Sequence, residues 1–178
     1  MKFQKWNIGA PDEQDIALLQ GAGYPYLLSV VLAARGVHSP EAAAEALDRE
    51  RSLTLSPMGM KDMDKAVARI QRAIADGETI AVFGDYDVDG ITGATLILQT
   101  LRFHDVPSTV HLPDRRKEGY GLNIPEIERL AAEEGPGILL TVDCGISDVK
   151  AVERARELGF MVVVSDHHMP PEELPPAH

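Results

Sequence analysis

The sequence predicts an α/β protein, a parallel sheet flanked by helices and preceded by a helical N-terminal region. Three observations carry this. Four short runs rich in branched residues, Thr79–Phe83, Ser108–Leu112, Ile138–Val142 and Met161–Val164, alternate with helical patterns after Gly77. Two of them, 138–142 and 161–164, are almost wholly apolar, as strands buried on both faces are. Ahead of Gly77 the chain reads only as helices and turns. The expected division is therefore a helical region over residues 1–76 and, over 77–178, the N-terminal part of an α/β catalytic domain cut short at its C-terminal end.

Each element has a local reason. Pro25–Arg35 is an apolar helical run closed by Gly36. Ser39-Pro40-Glu41 opens an Ala-rich helix with a cap, a proline at the first helical position and an acid in the first turn. Leu53–Met60, with Pro57 and Gly59, reads as a loop. Asp62–Ala75 places Met63, Ala66, Val67, Ile70, Ala73 and Ile74 at helical spacing and ends at Asp76-Gly77. After the first strand, a helix is expected from Thr92 to His104. Pro113–Asn123 is a polar, glycine-containing loop, and Pro125–Glu134 a helix. Ser147 is the expected cap of a helix running to Leu158 and stopped by Gly159. Pro170–Pro176 is a proline-rich loop after the last strand, so the sequence is expected to be a piece of something longer.

Composition narrows the classes. In 178 residues, 44% are apolar and 25% charged, as in an ordinary globular protein. The single cysteine, Cys144, excludes an internal disulfide. No apolar run approaches the ~20 residues of a membrane span. The N-terminal MKFQKWNIGAPDEQD lacks the apolar core of a signal peptide, so no membrane partner and a cytoplasmic location are expected. The net charge of −11 argues against a surface that coats nucleic acid indiscriminately. All of it falls after Ala75, and Asp85, Asp87, Asp89, Asp143 and Asp166 contribute to it. Cations bound among those acids would cancel part of the repulsion, so an anionic substrate stays open.

The acids mark three strand ends: Asp85-Tyr-Asp87-Val-Asp89-Gly90, Asp143-Cys144-Gly145 and Asp166-His167-His168. Ligands of open α/β sheets bind at the carboxyl ends of the strands. Five carboxylates and two imidazoles on one rim repel unless a cation joins them. Oxygen donors with some imidazole suit Mn²⁺ or Mg²⁺ better than structural zinc. Taken singly the residues read more plainly. An Asp after a strand is often a turn former, and a His pair more often an ordinary loop. Cys144 reads as a small buried residue rather than a nucleophile, having no base or cation beside it. Met58, Met60 and Met63 read as filler, and Arg115-Arg116-Lys117 as a solvated loop. The conjunction on one rim raises the acids above that background.

Two local motifs compete. Asp85-x-Asp87-x-Asp89-Gly90 begins like an EF-hand loop, but the twelfth position is Leu96, not Glu, and the segment enters from a strand. Asp87-Val-Asp-Gly90 resembles the nucleophile loop of haloacid-dehalogenase-type phosphatases, with Ile91 where Thr or Val is expected; that reading accounts for no Asp-His-His. Gly84-Asp-Tyr-Asp-Val-Asp-Gly-Ile-Thr-Gly93, Thr141-Val-Asp-Cys-Gly-Ile146 and Ser165-Asp-His-His168, in that order, resemble the motifs of the DHH phosphoesterase superfamily. Leu112-Pro-Asp-Arg-Arg-Lys-Glu-Gly-Tyr-Gly-Leu-Asn123 narrows the resemblance to the RecJ exonucleases, which the segments Leu53–Met63 and His167–Pro176 resemble as well.

The resemblance implies a DHH-type domain and a single-stranded-DNA-specific 5′→3′ exonuclease of recombination and repair. It further implies two ions of Mn²⁺ or Mg²⁺, single-stranded DNA as partner, and a single-strand-binding protein as a further one. Carried onto this sequence, Asp87, Asp89, Asp143 and His167 are implied metal ligands, with Asp143 bridging. Asp85 is implied as a further ligand because Phe83 stands where many DHH enzymes have His. Asp143, His167, His168 and Asp89 form the implied catalytic set. Asp166 and His168 are expected to orient His167 or contact the scissile phosphate. Arg115, with Gly119, Tyr120, Gly121 and His168, is expected to bind substrate. Other members of the superfamily act on short oligonucleotides, cyclic dinucleotides or nucleotide phosphates, and a non-catalytic, partner-binding fragment is the remaining alternative.

Overall fold

Branched and apolar residues set a four-stranded, all-parallel sheet. Its strands are β1 (Ile80–Gly84), β2 (Ser108–His111), β3 (Ile138–Val142) and β4 (Met161–Ser165), in the order β2-β1-β3-β4. The structure, a computed structural model, describes residues 10–49 and 55–178. The stretch read for a leader therefore lies outside the described residues up to residue 9, as do Leu53 and Thr54 of the expected loop. Within that loop Pro57–Gly59 forms a 3₁₀ turn.

Every residue of the two central strands is buried, whereas β2 at the edge is half-open. Side chains alternate between faces, as the strand repeat requires. Ala81, Phe83, Leu139 and Val162 pack on one side against α6 (Ile124–Glu134) and α7 (Val149–Glu157), through Ile127, Leu130, Ala151, Val152 and Ala155. Ile80, Val82, Ile138, Leu140 and Val163 pack on the other against α4 (Met63–Asp76) and α5 (Val88–Phe103), through Ala73, Ala94 and Leu101. Burying a side chain such as Phe83 contributes roughly 1.5–3 kcal/mol, which makes these two layers the main support of the rim above them.

The chain falls into two units, one up to Leu55 and one from Ser56. In the first, α1 (Glu13–Gly21), α2 (Tyr26–Ala34) and α3 (Pro40–Leu47) close around Leu19, Leu32, Ala33 and Ala43. Ser39 caps α3 by accepting the Ala42 N–H, as its sequence signature demands. The boundary differs from the expected 76/77 because Ala66, Ile70 and Ala73 of α4 pack on the sheet. Helix α1 was not anticipated, although Asp12 caps it by accepting from the Gln14 N–H.

Two further boundaries differ. Helix α5 starts at Val88 rather than Thr92, because Asp87 caps it. The cap position of α7 is Asp148, not Ser147, and the Asp148 side chain is spent elsewhere, on the Leu122 N–H.

Candidate metal centre

Register brings the acids together. Gly84 pairs with Val142, and Val142 with Ser165. The next residue of each strand is an aspartate: Asp85, Asp143 and Asp166. The sheet therefore delivers three carboxylates side by side at its C-terminal rim. The Asp85 N–H donates to Val142 O at 3.1 Å and the Asp143 N–H to Ser165 O at 2.9 Å, extending the ladders by one step.

The first loop is shaped by close packing. A Cβ on Gly90 would stand 2.4 Å from the Asp85 carbonyl oxygen, so only glycine lets α5 start against the strand end. Asp87 uses one oxygen, Oδ1, to accept the N–H groups of Asp89 (3.0 Å) and Gly90 (3.1 Å). Those backbone bonds, Gly90's foremost, hold its carboxyl below the usual range. Asp89 sits in the exposed first turn of α5, outside the groups of converging donors.

Two donor triplets converge at the rim: Asp85, Asp87 and Asp143, and Asp143, His167 and His168. Asp143 belongs to both. Its backbone is left-handed, φ +63°, a conformation Asp tolerates better than most side chains. It is 7% exposed, and Asp85 is 2% exposed. Asp85 Oδ1 and Asp143 Oδ1 are buried without a hydrogen bond. His167 Nε2 lies 3.0 Å from Asp143 Oδ1, a contact without hydrogen-bond geometry. Ligands at right angles, each about 2.1 Å from an octahedral ion, stand about 3.0 Å apart. Orphaned carboxylate oxygens are costly to bury, and a divalent cation is the partner that their chemistry fits. Burial, then repulsion from Asp87, pushes the Asp143 carboxyl up, with the two imidazoles opposing.

Asp166 has another task from the one expected. Its Oδ2 accepts the Ile146 N–H at 3.0 Å, and its Oδ1 accepts the His168 N–H at 3.0 Å and faces His168 Nδ1 at 2.7 Å. Burial opposes its ionisation, but these bonds win and hold it below the usual range. Asp166 thus orients His168 rather than His167, and the nitrogen it faces, Nδ1, also lies 3.9 Å from Asp143 Oδ1. The bond to Asp166 raises the His168 imidazole.

The loop over residues 113–123 reaches this rim. Tyr120 Oη lies 3.2 Å from His168 Nδ1, and its ring meets Tyr86 edge-on at 6.2 Å. The Arg115 guanidinium lies over Tyr86 at 5.2 Å. Gly119 and Gly121 both have positive φ. Asp148 pins the loop by accepting the Leu122 N–H at 2.8 Å, and a Cβ on Gly121 would run into its carboxylate. A cleft of about 310 Å³ lies beside His168, lined by Tyr120, Gly145, Ser147, Asp148, Asp166 and Met169. Its position is next to the His168 side of the rim, not over Asp85 and Asp87. Sequence reasoning passed over Tyr86 and Asp148. Tyr86 lies inside the acidic motif and was legible there; nothing local distinguishes Asp148.

Cys144 is fully buried, and its thiol lies 3.7 Å from Phe83 O. Burial pushes the thiol well above its ordinary value. It is a packed residue and not a nucleophile, as expected.

Comparison with known proteins agrees with this geometry. Residues 79–178 match the DHH family, N-terminal domain. The chain is 37% identical over 172 residues to the single-stranded-DNA-specific exonuclease RecJ of Bacillus subtilis (strain 168), covering 96% of this chain and 22% of that protein. It is 38% identical over 157 residues to RecJ of Escherichia coli (strain K12), covering 88% of this chain and 26% of that protein. Among solved structures, it is similar to the exonuclease RecJ bound to manganese, with a TM-score of 0.64 and 32% identity, over 70% of this chain and 32% of that one. The chain spans roughly a quarter of the length of these curated relatives.

Proposed function

The chain belongs to the DHH family, and from that premise we propose that it forms the metal-binding rim of a single-stranded-DNA-specific 5′→3′ exonuclease. The observation that carries this reading is the sharing of Asp143 between two donor triplets, with orphaned buried oxygens on Asp85 and Asp143. The relatives named single-stranded-DNA-specific exonucleases supply the substrate class, and the manganese-bound relative supplies the metal class.

Asp85, Asp87 and Asp143 would hold one ion of Mn²⁺ or Mg²⁺, and Asp143, His167 and His168 the other, Asp143 being common to both groups. Bound there, such a pair supplies Lewis acidity at the phosphate and a hydroxide at neutral pH. The protein's own groups do the rest. Arg115 holds a non-bridging phosphate oxygen. Tyr86 and Tyr120 offer ring faces to unpaired bases. Asp166 holds the His168 ring in place for its role as a metal ligand. The products are 5′-mononucleotides. Asp89, set apart in the α5 turn, is an outer contributor in this scheme. A single-strand-binding protein is the partner this reading adds.

The test is a 5′-phosphorylated, labelled oligonucleotide, single-stranded or duplexed, mixed with the Mn²⁺-loaded chain. Mn²⁺-dependent release of 5′-mononucleotides from the single strand alone is expected. Cleavage of dinucleotides with no binding of the longer strand would replace this reading with that of a short-oligonucleotide phosphodiesterase.

A further inference from the structure

At the end of β2, on the edge strand beside β1, His111 faces two carboxylates. Its Nε2 lies 2.8 Å from Glu118 Oε2 and its Nδ1 2.7 Å from Glu126 Oε1. Its ring packs on Phe83 of β1, centroids 4.9 Å apart. The Glu118 contact is a hydrogen bond, and the Glu126 contact brings the second ring nitrogen against a carboxylate of α6. The two acids come from different elements. Glu118 belongs to the 113–123 loop, and Glu126 to the first turn of α6.

Glu118 is itself the hub of the loop. Its Oε1 accepts the Asp114 N–H at 2.8 Å, its own N–H donates to Asp114 O at 2.8 Å, and Asn123 Nδ2 reaches Oε2 at 3.4 Å. These backbone contacts and His111 hold the Glu118 carboxyl low. Glu126 is also engaged by Arg129. His111, Glu118 and Glu126 lie close enough together to hold a metal. Glu118 is already engaged by His111 and the Asp114 N–H, however, and Glu126 by Arg129, which supplies the positive charge that an ion would bring. None of the three has an orphaned oxygen or nitrogen like those at the rim.

We propose that His111 is a positioning residue for the substrate loop: its ring links Glu118 in the loop to Glu126 on α6 and to Phe83 of the sheet, and so sets where Arg115 and Tyr120 stand over the rim. The inference rests on reading the 113–123 loop as the substrate-binding one. The groups facing His111 are Glu118 and Asn123 from the loop side, Glu126 and Arg129 from α6, and Phe83 from β1.

The test compares the chain with its His111→Gln and His111→Ala variants by amide hydrogen exchange. Expected is a fall of about tenfold in protection at Asp114, Lys117 and Glu118 in both variants, the scale of losing one hydrogen bond. Protection at Asp85 and Asp143 should be unchanged. Calorimetric Mn²⁺ stoichiometry should be the same in all three. Equal loop protection in parent and variants would overturn the proposal. So would loss of one Mn²⁺ equivalent in the variants, which would make the cluster a metal site. Binding of a 5′-phosphorylated single strand is read in parallel. If the loop loosens in the variants but even the parent does not bind the strand, the tie stands and the exonuclease reading falls.

Discussion

Asp143→Asn separates stability from metal binding. Asparagine tolerates the left-handed backbone at φ +63° and keeps the N–H donated to Ser165 O. It removes a charge that is 7% exposed. The Asp143 oxygen lies within 4.8 Å of donor atoms on Asp85 and Asp87. Two unit charges at that separation repel by about 3.5 kcal/mol at an effective dielectric of about 20. The imidazoles of His167 and His168 offset part of this, and Asp87 is exposed to solvent, which screens its share. About 1 kcal/mol remains, so the metal-free variant should melt about 2–4 °C above the parent. Mn²⁺ at a hundredfold over its Kd should add about 2.7 kcal/mol, or about 5–11 °C, to the parent. The variant should gain nothing from Mn²⁺. Thermal scanning with and without the ion reads both. A variant that keeps the Mn²⁺ shift, or that is less stable than the parent without metal, would refute the reasoning.

Mn²⁺ affinity should weaken as pH falls, because burial and Asp87 raise the Asp143 carboxyl and Asp166 raises the His168 imidazole. The ion must displace those protons, and calorimetry in two buffers of different ionisation enthalpy should show proton release. Both groups have raised values when folded, so what they contribute to metal-free stability is present at low pH and lost as pH rises through those values. Gly90→Ala should cost about 3 kcal/mol, because its Cβ would sit 2.4 Å from Asp85 O and 2.5 Å from Asp85 N, both backbone atoms that cannot turn away. A Tm within 2 °C of the parent, a shift worth about 1 kcal/mol or less, would contradict that. Gly93→Ala, which meets only the Val142 side chain, is the milder control.

Much of the sheet was legible because its strands declare themselves. Ile138–Val142 is apolar but for Thr141, the pattern of a short strand buried on both faces. The rim acids were legible because they follow those strands directly. The start of α5 was not, since Asp89-Gly90 has the look of a turn; the glycine is there for close approach to Asp85. Helix α1 escaped because only Leu19 along it is fully buried, which leaves a faint apolar pattern. The role of Asp166 could not be read, because the choice between His167 and His168 depends on where Ile146 N–H comes to lie. His111 was silent for a similar reason: its partners, 7 and 15 positions downstream, lie in a loop and in the next helix, so no single element's periodicity joins them.

The pairing of β1 with β3 has a kinetic consequence. Ile80 lies against Ile138, with α5, β2 and α6 between them in the chain. Asp85 and Asp143 become neighbours only after that long loop closes, a slow and entropically costly step in parallel topologies. A cation that needs both carboxylates therefore finds no site in the unfolded chain or in its early, local structure. Its binding energy is gained late, on the native side of the barrier. Such an ion should leave the rate of folding almost unchanged and act by slowing unfolding. Metal at this rim prolongs the lifetime of the fold rather than guiding its formation.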